Sequence, residues 1–530
     1  MMKKYMIKNS VLASLLAIAS LSSCTDSIMD DINRDRNHPE NVPAKFLLTE
    51  VITSTAFNVT GGDFSLYASV YIEHETGIFG QMYNADIRNG EPNVATTYNN
   101  AWNNAYANIK TLKIAIDKLE NDPFEQGNNV SLGIAKVLLA YNGAILTDLF
   151  GDVPFVQAGE INPDNTPKYM QPKIDKQEEV YKEVFQLLDD AVILFDKKDE
   201  GSSGAIGRND YIYGGDAKIW KKAAYALKAR YMLHVLDRSA DKDADMQTIL
   251  TCVDNSFASA KDELKFAVYN GSSQLNPYAG FTMSRDAMGA SKSLVDKMIA
   301  LNDPRAKCSF MQCTDPRNYT FEQITDPAKI ETAPNGEPVQ TQFKYSYSMP
   351  SLAASAPTQL MSYHELMFIK AEVLARKGQN DDAYITLKSA IEAAFANLQN
   401  SIKATIDYCD FTGDADPAVD LSKTVADAYH TALKAAFDTD PLRMVMLQKY
   451  LSFFGSSGES VEAYNDYRRL KGEGKEDYID LKNPLNVKEK FPLRYGYGQS
   501  DVSANQEVKK AFGNGQYVYT EPVWWAGGTR

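Results

Sequence analysis

Four groups of residues have the types and spacing to do chemistry. The first is Leu21-Ser22-Ser23-Cys24, where small side chains precede a single thiol. Lys3, Lys4 and Lys8 lie upstream, followed by an apolar run from Val11 to Leu21. That run is far shorter than the roughly 20 apolar residues a bilayer span needs. The pattern is that of a cleaved secretory signal ending in a lipobox, with the Cys24 thiol as acceptor of a diacylglycerol. Several acyl chains, each contributing about 0.8 kcal/mol per buried methylene, would anchor the chain stably.

The second group is Glu73-His74-Glu75, a pair of carboxylates around an imidazole. A glycosidase uses two such carboxylates as acid and nucleophile. With 69 acidic residues in the chain, however, close carboxylates are common by composition alone. No nucleophile elbow, zinc-binding His-Glu-x-x-His or phosphate loop accompanies them. A non-enzyme is the expectation, without cofactor, and a surface glycoside hydrolase is the runner-up. The third group, Asp31-x-Asn33-x-Asp35-x-Asn37, has the alternating oxygens of a calcium loop. Arg36 stands where such a loop needs Gly, and Val42 where it needs a bidentate Glu. Side chains building Asx turns explain the run better, and no metal is assigned.

The fourth group suits a sugar. Pyranose rings present C–H faces to aromatic rings, and their hydroxyls seek planar donors and acceptors. Tyr71, His74, Glu75, Phe79, Gln81 and Tyr83 make the best such cluster, with Gly77 and Gly80 loosening the backbone; Tyr278, Phe281 and Arg285 make a second. Helical spacing does not organise the first cluster beyond Glu75, so at least one of Tyr71, Phe79 and Tyr83 is expected to face solvent. Trp102 falls on an apolar helical face and is assigned to the core. Arg468 and Arg469, in an acidic chain, are expected to be salt-bridged.

The elements that must position these groups are mostly helices. Apolar residues recur at spacings of three and four over 98–119, with further helical patterns over 134–150, 177–195, 216–236, 291–301, 359–377, 381–398 and 441–454. Met367, Ala371, Leu374, Ala383, Leu387 and Ala390 fall at the places of a tetratricopeptide repeat, and Trp220, Ala223, Ala224 and Leu227 match a first repeat helix. The predicted fold is mostly α: imperfect tetratricopeptide-like helix pairs with long irregular loops and minor β. Such pairs also permit a third function, a peptide-binding helical-repeat adaptor. Segments near 60–95, 151–175, 265–290, 302–358 and 455–530 are rich in Gly, Pro, Asn, Ser and aromatics, and are expected to be loops. Residues 1–23 are assigned to the signal, 24–45 to the lipidated tether and 46–530 to one helical body.

Without the signal, 52 basic residues face 69 acidic ones, a formal charge of −17. Such a chain repels phosphate backbones, which excludes nucleic acid as a natural partner. No run of eighteen consecutive apolar residues follows Cys24, so the body is expected to be soluble and held at the membrane by lipid alone. Cys252, Cys308, Cys313 and Cys409 are expected as free thiols, with a Cys308–Cys313 disulfide as the alternative.

Several stretches resemble the SusD/RagB family, in its SusD-like branch. They are Asp31 to Pro39, Asp148-Leu149-Phe150-Gly151-Asp152-Val153-Pro154, Asn302-Asp303-Pro304-Arg305, Tyr363 to Glu372, Gln448-Lys449-Tyr450, Glu462-Ala463-Tyr464 and Tyr467-Arg468-Arg469. Their order, more than any one of them, carries the resemblance. Leu470-Lys471-Gly472 departs from the family's usual turn, and Ala526 stands where an Asp often follows the tryptophans. The resemblance implies a nutrient-binding lipoprotein of the outer membrane, facing the cell exterior. It also implies a SusC-like TonB-dependent transporter as partner and an oligosaccharide or peptide as ligand.

Overall fold

The computed structural model describes residues 42–89, 95–162, 166–413, 416–455 and 457–530. The lipobox and the Asp31–Asn37 run lie outside the described residues. From Ala44 onward the body begins with α1 (Ala44–Ser54), a π-helical turn (Thr55–Thr60), α2 (Asp63–Tyr71), β1 (Glu75–Gly77) and α3 (Gly80–Asp86). A run of long helices follows: α4 (Asn99–Asn121), α5 (Asn129–Phe150), α6 (Gln177–Leu194), α7 (Ala217–His234) and α8 (Lys242–Asp254). Next come β2 (Leu264–Phe266), α9 (Pro277–Arg285), β3 (Met288–Ala290), α10 (Lys292–Ala300), β4 (Phe310–Asp315), β5 (Thr320–Ile324), β6 (Tyr347–Ser348) and β7 (Thr358–Met361). The C-terminal part holds α11 (Tyr363–Arg376), α12 (Asn380–Tyr408), β8 (Asp410–Phe411), α13 (Lys423–Ala432), α14 (Lys434–Thr439), α15 (Pro441–Phe453) and α16 (Ser460–Gly472). Three short helices close it: α17 (Gln499–Ala504), α18 (Gln506–Phe512) and α19 (Tyr517–Thr520).

Where apolar residues recur at helical spacing, a helix buries them. In α4 the stripe Trp102, Ala105, Ile109, Leu112 and Leu119 is buried against α5 and α1. Caps fix the boundaries. Asp216 accepts the amides of Lys218 and Ile219 at the start of α7, and Asp440, before Pro441, accepts the Arg443 amide at the start of α15. Neighbouring helices pack in sequence, α4 on α5, α5 on α6, α6 on α7 and α7 on α8, and α11 packs on α12 and α15. These are the tetratricopeptide-like pairs. The strands form two two-stranded ladders, β1–β3 and β2–β7, and a small sheet in the order β6-β4-β5-β8.

Helix α5 is long and apolar enough to cross a membrane, yet 89% of its apolar window is buried within the protein, so packing and not lipid accounts for its composition. The segment expected as loop over 60–95 contains α2, in which every residue after Asp63 is buried. A helix buried all round has no polar face and therefore no amphipathic period to read. Likewise the 265–290 segment contains α9, and 455–530 contains α16, again buried over most of its length. Within the segment expected as loop over 302–358, Tyr347–Ser348 pairs with β4. Cys252, Cys308, Cys313 and Cys409 are free thiols.

Candidate functional site

The ladder β1–β3 decides which candidate residues meet. It pairs Glu75 with Ala290 and Gly77 with Met288, and the Ile78 amide continues it by donating to the Ala287 carbonyl at 2.8 Å. The two candidate clusters, some 200 residues apart in sequence, are thereby brought side by side.

Burial then sorts them. Tyr71 is fully buried, with its hydroxyl 2.7 Å from that of Tyr98 and its ring near Arg88, Tyr67 and Tyr495. Its hydroxyl is pushed well above the ordinary tyrosine value by burial. The Glu73-His74-Glu75 constellation is not assembled. Glu73 accepts the Lys482 and Asn483 amides at 2.7 Å each, the His74 Nε2 lies 2.9 Å from the Tyr450 carbonyl, and Glu75 accepts the Ser348 hydroxyl. All three are buried and face different partners. Burial lowers His74 to about 3 and raises Glu75 to about 8, against the Ser348 hydrogen bond. Two carboxylates held apart in the interior cannot flank one glycosidic bond. Tyr71, His74 and Glu75 are therefore buried, and His74 and Glu75 line, with Tyr278 and Ser69, a small cavity of about 30 Å³.

What remains outward is compact in composition. Phe79 is 51% exposed, although it caps α3 in an extended conformation. Gln81 and Tyr83 are half-buried on α3. From the second cluster, Tyr278 turns inward and donates to the Ser69 hydroxyl at 3.1 Å, while Arg285 is exposed with its guanidinium 5.1 Å from the Phe281 ring centre.

A third segment, not singled out residue by residue in the sequence, completes the face. Tyr83 donates its hydroxyl to the Pro338 carbonyl at 2.6 Å, and Asp86 accepts the Gly336 amide at 2.6 Å. The Gln342 side-chain amide donates to the Asp286 carbonyl at 3.1 Å, and the Phe343 backbone amide to the Asp286 carboxylate at 3.1 Å. This places Phe343, 37% exposed, beside Arg285. Asp286 and Phe343 have φ of 43° and 59°, a left-handed conformation that costs a non-glycine residue energy and persists only where surroundings enforce it. The face therefore consists of Phe79, Gln81, Tyr83, Phe281, Arg285 and Phe343 on three segments that hydrogen-bond one another. The sequence signal that would have found Phe343 is weak: one more aromatic in an aromatic-rich loop.

Other charged groups are structural. Asp148, His234 and Glu462 offer ligand atoms within 4.8 Å of one another. Both imidazole nitrogens are already engaged, Nδ1 at 3.2 Å from Asp148 and Nε2 at 2.9 Å from Glu462. Burial alone would lower His234, but the two carboxylates outweigh it and push it up to about 9. A protonated ring has no lone pair for a cation, and the triad instead ties α5, α7 and α16 together. Arg469 is salt-bridged as expected, to Glu372 and Asp466. Arg468 differs: it stacks on Tyr464 and Trp525 and donates to Asn465, and burial lowers it, outweighing Tyr464 and Asp148. Trp102 is in the core, its indole donating to Asp501 at 2.7 Å.

Residues 36–497 match the model of a SusD-like family described as starch-binding, associating with the outer membrane. A SusD/RagB family protein from Bacteroides thetaiotaomicron is 44% identical, with a TM-score of 0.85 over 92% of this chain and all of that one. A chitin-binding protein is 22% identical with a TM-score of 0.66, and a SusD homologue from Bacteroides fragilis is 19% identical with a TM-score of 0.67, each over 92% of this chain and all of the other. Among curated proteins none matches. The helical body, the order of its motifs and these similarities place the chain in the SusD/RagB family, within its SusD-like branch.

Proposed function

We propose that the protein is a surface lipoprotein that binds an oligosaccharide and passes it to a SusC-like TonB-dependent transporter. The observation that carries the reading is the face built from Phe79, Phe281 and Phe343 with Gln81, Tyr83 and Arg285 between them. Two exposed rings, Phe79 and Phe343, and the half-buried Phe281, flanked by amide, hydroxyl and guanidinium groups, are the chemistry that pyranose faces and hydroxyls require. Family membership, and a structural relative named for chitin binding, support a carbohydrate over a peptide. Phe79, Gln81, Tyr83, Phe281 and Arg285 are the ligand-facing residues in this reading; Tyr71, His74, Glu75 and Tyr278 hold the backbone that presents them. The protein does no chemistry on the ligand.

A glycan and peptide array probed with the untagged mature protein tests the ligand class, and a reducing-sugar release assay tests for hydrolysis. Selective glycan signals without sugar release are expected. Peptide signals alone would replace the reading by the helical-repeat adaptor, and released sugar by the hydrolase. The anchor is tested by labelled fatty acid, which should enter the wild type and not Cys24→Ala. The transporter is tested by pull-down from native membranes in mild detergent, where a large TonB-dependent barrel is the expected partner.

A further inference from the structure

Helix α9 borders two surfaces. Phe281 and Arg285 belong to the face described above, whereas Pro277 and Gly280 line a separate groove of about 610 Å³. Its walls are Phe57 from the π-helical turn, Tyr211 from the loop before α7, and Phe266 and Tyr269 from β2 and the chain leaving it. The volume falls within the ~300–1,000 Å³ of ligand sites, which are lined by aromatic and apolar side chains with few polar groups.

The groove is built and held. Gly61 lies so close to Pro277 that a Cβ there would stand 2.8 Å from the proline ring, which presses the π-helical turn onto the start of α9. The Tyr269 hydroxyl lies 2.9 Å from that of Thr358, and its ring packs 5.4 Å from Phe266 and 6.4 Å from Phe57. The Asn270 side chain accepts the amides of Ser272, Ser273 and Gln274, folding a tight turn that sets Gln274 on the rim. Against this rigid wall Phe57 is 41% exposed and Tyr211 49% exposed. Two large rings sharing one cavity and left half in water present a stacking surface.

We propose that this groove is a second subsite for the oligosaccharide bound at the Phe79 face, gripping rings further along the same chain; the proposal rests on the glycan reading above. Continuity supports it, since adjacent residues Gly280 and Phe281 belong to the groove and to the face. The nine residues of α9 span about 12 Å at 1.5 Å per residue, a distance that a few linked pyranoses bridge. The lining is aromatic and holds no charged side chain, which suits a neutral pyranose chain whose C–H faces stack on Phe57 and Tyr211.

The test compares short and long chains by calorimetry: maltotriose with maltoheptaose, and chitotriose with chitohexaose. Wild type, Phe79→Ala and the double variant Phe57→Ala/Tyr211→Ala are measured, with Tyr211→Ala alone in reserve should the double variant not fold. The groove variants are expected to lose about tenfold in affinity for the longer chain and to keep the wild-type affinity for the trisaccharide, whereas Phe79→Ala weakens both. Unchanged affinity for the long chain, or equal losses for both lengths, overturns the groove while leaving the Phe79 face standing. Binding of none of the four chains overturns the groove proposal, and the glycan reading beneath it falls with it where the array also gives no glycan signal.

Discussion

Tyr71 and Phe79 lie eight residues apart and are opposed in environment, so alanine at each position should give opposite phenotypes. Fully burying a phenylalanine is worth roughly 1.5–3 kcal/mol. Phe79 is 51% exposed, so a ligand covering the free half gains about 1 kcal/mol, and Phe79→Ala should weaken binding about fivefold. The half already packed is worth a similar amount in folding, a loss of a couple of degrees at most for a body this large. Tyr71 has nothing left to give a ligand. Truncating a fully buried aromatic costs about 3–5 kcal/mol, and the Tyr98 hydroxyl would also lose its partner, at roughly 1–3 kcal/mol more. Tyr71→Ala should therefore lower the thermal midpoint by many degrees, or fail to fold, while any folded fraction binds with near-native affinity. The assay is paired calorimetry and differential scanning on each variant, with a glycan identified by the array. If Phe79→Ala melts as early as Tyr71→Ala while affinity holds, the face is not a binding surface and the reasoning from exposure is wrong.

Three further outcomes follow from the interior. Glu372 is buried among Arg469, Arg376 and Lys449; burial alone would raise it, but these cations hold it well below the usual carboxylate range. Glu372→Gln strands buried cations and should cost about 3–5 kcal/mol in urea unfolding, more than Glu322→Gln at an exposed position of strand β5. His234 is raised from 6.5 to about 9, so its contribution is complete below pH 6.5 and is lost as pH rises through 9. Wild-type stability should fall across that window, on the order of 3 kcal/mol, and His234→Gln should be weaker at pH 6 but lack that slope. Glu75 is raised by burial from 4.5 to about 8, which makes its protonated form the native one, and stability is lost as pH rises from 4.5 through 8. Glu75→Gln mimics that form and should flatten the pH dependence in this interval; an unchanged slope by pH-resolved chemical denaturation would place the titrating group elsewhere.

How much was legible in the sequence depends on what burial demands of each residue. The motifs that carry the family resemblance coincide, within the described residues, with buried polar groups paired across helices. Asp148 accepts the Trp525 indole at 3.0 Å and the Tyr181 hydroxyl. Asp303 holds Arg305 through its backbone amide and guanidinium, and Arg305 reaches Gln448. Glu365 closes on Arg230 of α7 at 2.6 Å through Nε. Ser362-x-x-Glu365 has the spelling of a capping box, and Ser362 does accept the Glu365 amide at 3.1 Å, but the glutamate is spent on Arg230. A buried charge is tolerable only with its partner in place, so both identities are tightly specified and short motifs become readable. Gly151 belongs to the same class: its φ of 80° and the Arg494 guanidinium packed against it leave no room for a side chain.

The proposed ligand face obeys no such demand. An exposed ring must only be present and flat, and its sequence neighbours carry no compensating mark. In a chain with 30 tyrosines and 23 phenylalanines, type alone cannot separate Phe79, which is half in solvent, from Tyr71, which is fully covered. The helical period misleads as well, because α2 is buried on every side and gives no polar stripe to mark where the core ends. Only the β1–β3 ladder settles the matter. It turns Glu75 inward onto Ser348 and carries the chain out to Phe79 four residues later, and it sets α9 and the Asp286–Phe343 contact alongside. The two candidate clusters are therefore neighbours for a reason invisible in either alone. A three-residue ladder between strands more than 200 residues apart leaves almost no period in the sequence, yet it fixes which aromatics lie side by side.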